Sequence, residues 1–151
     1  MISTQPRGFT LLIAVILSSV VLTIGLALLD MAYKQVILAS TAKQSQKAFY
    51  AADSALECAL YYDQQKDAFN TNFDALTQLS CDGQVISYAP SGSSPKVTTY
   101  SVPCAGGGTQ ASVRVYKNYP IAPTTRIYAN GYNSCNADDA RRVERGLKVV
   151  Y

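Results

Sequence analysis

The stretch from Phe9 to Leu29 reads FTLLIAVILSSVVLTIGLALL. Sixteen of its 21 residues are apolar and none is charged. As a helix it would be roughly 31 Å long, about the thickness of bilayer hydrocarbon. The 151-residue chain has no second window of this kind, so one membrane-length segment precedes one small domain. Eight residues, MISTQPRG, stand before the run with a single charge at Arg7; Asp30 and Lys34 follow it. Arg on one side and an acid directly on the other favour a cytoplasmic N-terminus, with residues 31–151 outside the membrane. A cleaved secretory signal would also account for the run, with a small-x-small site at Gly25-Leu26-Ala27. Twenty-one residues, however, exceed the roughly 7–15-residue core of such peptides.

The helical pattern does not stop at the end of the run. No Pro occurs between Phe9 and Lys66, and Gly25 is the only Gly. The spacing predicts one helix of roughly 87 Å, too long for any single small domain, so that half should project. Ser18, Ser19, Thr23 and Gly25 lower helix propensity within the apolar part. Either the chain melts locally near Gly25, or the hydroxyls bond back to the preceding turn and the helix stays whole. Further on, Leu38, Ala42, Ser45, Phe49, Ala52, Leu56 and Leu60 fall in one stripe about 80° wide at 100° per residue. The stripe predicts a face packed on a sheet, with Phe49 and Leu56 as its bulky anchors. Asp53, Glu57, Asp63 and Asp67 read as surface charge on this helix.

After Asp67 the period changes. Residues 67–84 read as an irregular connection. Short strands are predicted at Val85–Tyr88, Val97–Val102, Ala111–Lys117, Arg126–Tyr132 and Val143–Tyr151. Turn chemistry separates them: Pro90 to Pro95, Gly106-Gly107-Gly108, Pro120 and Pro123, and Asn133 to Asp139. These intervals are too short for crossover helices, so the sheet should be antiparallel. The expected class is α+β, a long N-terminal helix on a four- to five-stranded antiparallel sheet.

Composition removes several chemistries. Histidine is absent, which excludes imidazole bases, His-dependent triads and imidazole metal ligands. The helix carboxylates have no plausible catalytic partner nearby, so the chain is not expected to be an enzyme or to carry a cofactor. Gly106-Gly107-Gly108 lacks a following Lys-Ser/Thr and reads as a turn, not a phosphate loop. A net charge of +3 is too small to announce a nucleic-acid binder, and nucleic acid is not an expected partner. The charge is uneven, with seven basic and three acidic side chains among the last 41 residues. Tyr116, Tyr119, Tyr128 and Tyr132 accompany that basic stretch. A solvated face, a subunit contact and a DNA contact are the three readings of it.

Four cysteines, Cys58, Cys81, Cys104 and Cys135, fit no close-spaced metal pairs. Outside the membrane they would form disulfides. Cys58 sits about 200° around the helix from Leu56 and so faces away from the sheet. Cys81 lies in the long connection, which is free to wrap that flank. The expected pairs are therefore Cys58–Cys81 and Cys104–Cys135.

The edge of the apolar run carries a more specific signal. Arg7-Gly8-Phe9-Thr10-Leu11-Leu12 resembles the type III signal of type IV pilins and pseudopilins. The stretch Ala48-Phe49-Tyr50-Ala51-Ala52-Asp53-Ser54-Ala55-Leu56 resembles a helix pattern of minor pilins, and Gly131-Tyr132 with Arg141 to Arg145 resembles their closing hairpin. The resemblance implies a leader at 1–8, a transmembrane and filament-core helix at 9–30, its second half at 31–66, and a connection and sheet at 67–151. It implies cutting between Gly8 and Phe9 by a prepilin peptidase, and methylation of the new Phe9 amino terminus. The implied partners are other pilin or pseudopilin subunits, an inner-membrane assembly platform and the membrane itself. The implied location is the cytoplasmic membrane, then an extracellular or periplasmic filament. The fifth residue of the processed family chain is usually Glu, and here it is Ile13, which points to a minor, tip-proximal or initiating subunit. Some pseudopilins bind calcium near their C-terminus. Asp138 and Asp139, beside Asn133 and Asn136, are the oxygen donors present for it, although such residues are also ordinary turn formers. The other reading is a single-pass, membrane-anchored binding protein, an adhesin or DNA-contacting domain, that enters no filament.

Overall fold

The computed structural model describes residues 7–70, 78–92, 94–104, 108–118 and 122–151. The expectations for the leader at 1–6, for Gly106 and Gly107, and for Tyr119 and Pro120 lie outside the described residues. The described chain is α+β: one helix, α1 (Arg7–Lys66), is followed only by strands. It divides into two compact units, one ending at Thr41 and one running from Ala42 to Tyr151.

The first unit is helix throughout its described part. Ser18, Ser19 and Thr23 donate their hydroxyls to the carbonyls of Val15, Ile16 and Val20 at 2.8–2.9 Å. Each polar side chain is thereby satisfied within the helix, which stays whole through Gly25 rather than melting. Lys34 and Asp30 pair at 2.7 Å one turn apart. The helix is long and apolar enough to cross a membrane.

The second unit packs the rest of α1 on antiparallel strands. Strands β1 (Gln78–Cys81) and β2 (Gln84–Ser87) form a two-stranded hairpin. Strands β3 (Ala89–Ser91), β4 (Lys96–Val102), β5 (Gln110–Lys117), β6 (Arg126–Tyr132) and β7 (Glu144–Val150) form a five-stranded sheet in sequence order. One face of that sheet, from Tyr100, Val102, Val113, Val115, Ile127 and Ala129, closes the core with Phe69, Leu79 and Ile86. Phe69, Tyr88 and Tyr100 form an aromatic trio with centroids 5.6–6.4 Å apart.

Two sequence expectations are corrected. The buried line of the helix is Ala48, Ala52, Ala55, Leu56 and Ala59, while Phe49 remains 43% exposed and Leu38 68%. The stripe is thus rotated by roughly 50° from the expected one, at 100° per residue. The cause lies on β6, where a Cβ on Gly131 would collide with the Ala48 carbonyl oxygen and the Ala52 amide nitrogen. Backbone meets backbone there, and only alanines permit so close an approach. The second correction concerns residues 67–84, which are not all irregular. Gln78–Cys81 pairs with Gln84–Ser87 around Asp82 (φ 52°) and Gly83 (φ 70°). Two positive φ values in a two-residue loop are the signature of a type I′ turn, for which Asp-Gly is a strong sequence signal. The expected first strand therefore belongs to this hairpin, and Ala89–Ser91 takes its place at the sheet edge.

Candidate functional site

The residues singled out by sequence fall in separate places. Gly8 and Phe9 lie in the first turn of α1, and Ile13 follows one turn on with 40% of its surface exposed. The four cysteines form two bonds. Cys58 is joined to Cys81, with Cα atoms 5.9 Å apart, and Cys104 to Cys135, at 6.0 Å. The first ties α1 to the end of β1, on the flank that the five-stranded sheet leaves open. One turn later Tyr62 pins the same hairpin, its oxygen accepting from the Ser80 amide at 2.9 Å. The second bond joins the β4–β5 and β6–β7 connections. Sequence separations of 23 and 31 correspond to roughly 3–4 kcal/mol each in the chain-entropy model. Bonds of this kind fit an oxidising, extracytoplasmic setting.

The calcium candidates are engaged in turn structure. Asn136 Oδ1 accepts the Asp138 amide at 3.0 Å, and Asp139 Oδ1 accepts the Arg141 amide at 2.9 Å. The Arg141 N–H and the Ser134 hydroxyl together hold the Asp139 carboxyl below its usual range. Among the described residues no group of three or more His, Cys, Asp or Glu is placed to hold a metal. The loop is fixed to α1 by Asn133, whose amide donates to Gln44 Oε1 at 3.0 Å and to the Arg141 carbonyl at 3.1 Å. Arg145 adds a 2.7 Å bond to the Ser45 hydroxyl.

A third constellation was not visible in the sequence. Asp63 is not surface charge, since its residue is 4% exposed. Its Oδ2 pairs with Lys117 Nζ at 2.7 Å and accepts the Tyr151 hydroxyl. The Lys117 ammonium lies 5.9 Å from the centre of the Tyr151 ring. Tyr151 is held by two backbone bonds to Thr125, at 2.9 and 3.0 Å. Burial, and then the Asp63 carboxylate, push the Tyr151 phenol well above its ordinary value of 10.0. The signal that would have found Asp63 is spacing, because it stands four residues beyond Ala59 on the alanine line.

The outward face of the five-stranded sheet collects four of the seven basic C-terminal residues, Arg114, Arg126, Arg142 and Lys148. Register places Thr99, Arg114, Tyr128 and Lys148 in one row across β4 to β7. Gln110, Tyr132 and Glu144 form a second row, four residues along the strands. Between them runs a row of Ser101, Ser112, Asn130 and Gly146. Lys148 Nζ lies 5.3 Å from the Tyr128 ring centre, and the Arg142 guanidinium lies 4.0 Å from that of Tyr132. Tyr116 meets Tyr128 edge-on at 5.7 Å. A hollow of about 120 Å³ opens on this face among Thr99, Ser112, Arg114, Tyr128 and Asn130.

Comparison with protein-family models, with curated proteins and with solved structures finds no match to this chain.

Proposed function

We propose that this chain is a subunit of a type IV pilus-like or type II secretion pseudopilus filament, a minor one at or near the tip or in the initiating complex. The observation that carries the reading is the uninterrupted helix from Arg7 to Lys66, which begins at the basic-Gly-Phe edge of the apolar run. The apolar side chains of its first part are bare, with Leu11, Val21, Leu29 and Leu38 each 68% exposed. So large an apolar surface needs a cover. The bilayer supplies one before assembly, and the helices of neighbouring subunits supply the other in a filament. A prepilin peptidase would cut between Gly8 and Phe9, leaving the helix as the part that is kept. An assembly platform in the inner membrane would then transfer it from membrane to filament. The work of such a subunit is non-covalent contact, and the second unit offers exposed aromatics for it at Phe49, Tyr50 and Tyr61.

Ile13 gives the minor role its physical reason. In the family, Glu at this place pairs with the amino terminus of a neighbouring subunit in the apolar core. An ammonium buried there without a partner is costly. Ile13 cannot supply the countercharge, and a subunit at the tip has no neighbour above it to neutralise.

The second reading is a single-pass anchored binding protein, favoured by the built outward face of the sheet. Mass spectrometry of the mature N-terminus separates the two. A chain starting at N-methylated Phe9 is the expected result, and one starting at Met1 would replace the filament reading with the plain anchor.

A further inference from the structure

We infer that the outward face of the five-stranded sheet is a binding trough for single-stranded nucleic acid. The inference is independent of the filament reading, since it rests on strand register within the second unit alone.

The argument begins with side-chain height. The middle row, Ser101, Ser112, Asn130 and Gly146, is low, and Gly146 contributes no side chain at all. A Cβ there would stand 3.1 Å from Asn130 Oδ1, so glycine leaves that amide uncovered. The rows on either side are high and carry Tyr128 and Tyr132. Side chains two residues apart on a strand are roughly 6.8 Å apart, so the two banks are roughly 14 Å apart. One extended strand fits between them. A duplex carries two backbones around a major groove of about 12 Å, so it is broader than the trough and would ride on the banks without entering.

Charge and ring placement then select the occupant. Arg114 and Lys148 flank Tyr128 in register, Arg142 stacks on Tyr132, and Arg126 lies on the same face. Glu144 is the one carboxylate in these rows, so the face sets four cations, Arg114, Arg126, Arg142 and Lys148, against a single acid. The nine other cations of the chain are matched by nine acids, so the net charge of +3 says nothing of where the excess lies. An anionic lipid surface would satisfy the cations and make no use of the free faces of the rings. Single-stranded nucleic acid uses both, with phosphates on the cationic bank and bases against the aromatic rings. The hydroxyl of Ser112 and the amide of Asn130 line the hollow beside Arg114, where a base edge would present donors and acceptors.

The test uses the full chain in detergent and a fluorescently labelled oligothymidylate of about 20 nucleotides, read by anisotropy. Binding at 50 mM salt should weaken roughly fifty-fold at 200 mM if four phosphates are engaged. Arg114→Gln with Lys148→Gln should reduce the salt slope by about 1.4. Tyr128→Ala should weaken binding about 5- to 150-fold, while Tyr128→Phe, which keeps the ring, should not. Gly146→Leu fills the trough without touching a charge and should abolish binding. Three results would overturn the inference: no binding at 50 mM salt, a duplex of equal length bound as tightly, or Gly146→Leu binding like the parent. Heparin bound as tightly as the oligonucleotide, with Tyr128→Ala unchanged, would also overturn it in favour of a plain polyanion face. Thermal melting of each variant checks that the fold is retained, and the double Gln variant carries the test if Tyr128→Ala fails to fold.

Discussion

At Asp63 a buried carboxylate stands in an otherwise small and apolar helix face. It is tolerated because Lys117 and Tyr151 both deliver a proton-bearing group to its Oδ2. Removing one partner of a buried pair leaves an uncompensated charge, which typically costs about 3–5 kcal/mol. Lys117 is 18% exposed, so its loss should fall at the low end of that range. Lys117→Met should therefore destabilise by about 3 kcal/mol, and Asp63→Leu combined with it should recover much of the loss. A double-mutant cycle by denaturant unfolding measures this; additive costs would mean that the pair is not coupled. The same cluster sets an alkaline limit. A phenol whose ionisation is raised by folding supports the fold at every pH below its unfolded value of 10.0. That support is lost as pH rises through the folded value, because the Tyr151 anion would face Asp63. Tyr151→Phe should be less stable at neutral pH by about 1.5–3 kcal/mol, the worth of a hydrogen bond to a charged group. It should also lose less stability than the parent above about pH 10. Melting curves from pH 8 upward check this, and parallel curves for the two proteins would count against it.

At the scale of elements, the decisive contact is α1 on β6. Ala48 and Ala52 are fully buried, and Gly131 faces them with no Cβ to spare. Gly131→Ala places a methyl group against main-chain atoms, which cannot swing away as a side chain would. Overpacking of this kind costs about 1–3 kcal/mol and occasionally more. The expected outcome is a cost above about 2 kcal/mol in unfolding experiments. A change below about 0.5 kcal/mol, ordinary for a surface substitution, would show that the helix can lift from the sheet at no cost. The β1–β2 hairpin obeys a different logic. It is too short for independent stability, and it is held by the Cys58–Cys81 bond and by Tyr62.

At the scale of the whole molecule, the proposed filament role makes a specific demand: with Ile13 in place of a carboxylate, the chain should hold a low-abundance position. Quantitative mass spectrometry of sheared filaments should find this chain well below the main subunit. An Ile13→Glu variant, which restores a countercharge along the shaft, should rise in abundance. Recovery of the parent chain as the most abundant subunit would defeat the minor role.

The sequence by itself determined the elements whose cause is local. An uncharged, largely apolar run of 21 residues reads as a membrane-length helix, and no Pro between Phe9 and Lys66 interrupts it. Four of the five sheet strands were legible from alternation and turn residues, to within a residue or two at their ends. Angular position on a helix also placed Cys58 on the flank where the structure joins it to Cys81. The Asp82-Gly83 turn was equally local, and its signal was present in the sequence though the stretch read as irregular. Only the tertiary structure decided the rest, because its causes are pairings between distant residues. The helix turned its alanines inward because Gly131, some 80 positions along, removed a Cβ. Asp63 became a buried acid because Lys117, at the end of β5, and Tyr151, just past β7, reach it from one end of the sheet on either side of β6. Register aligned Arg114, Tyr128 and Lys148 into one bank, and no count of charges along the chain contains that row. Period and composition act between neighbours in sequence, whereas close approach, charge pairing and register are fixed only when strands and helix meet.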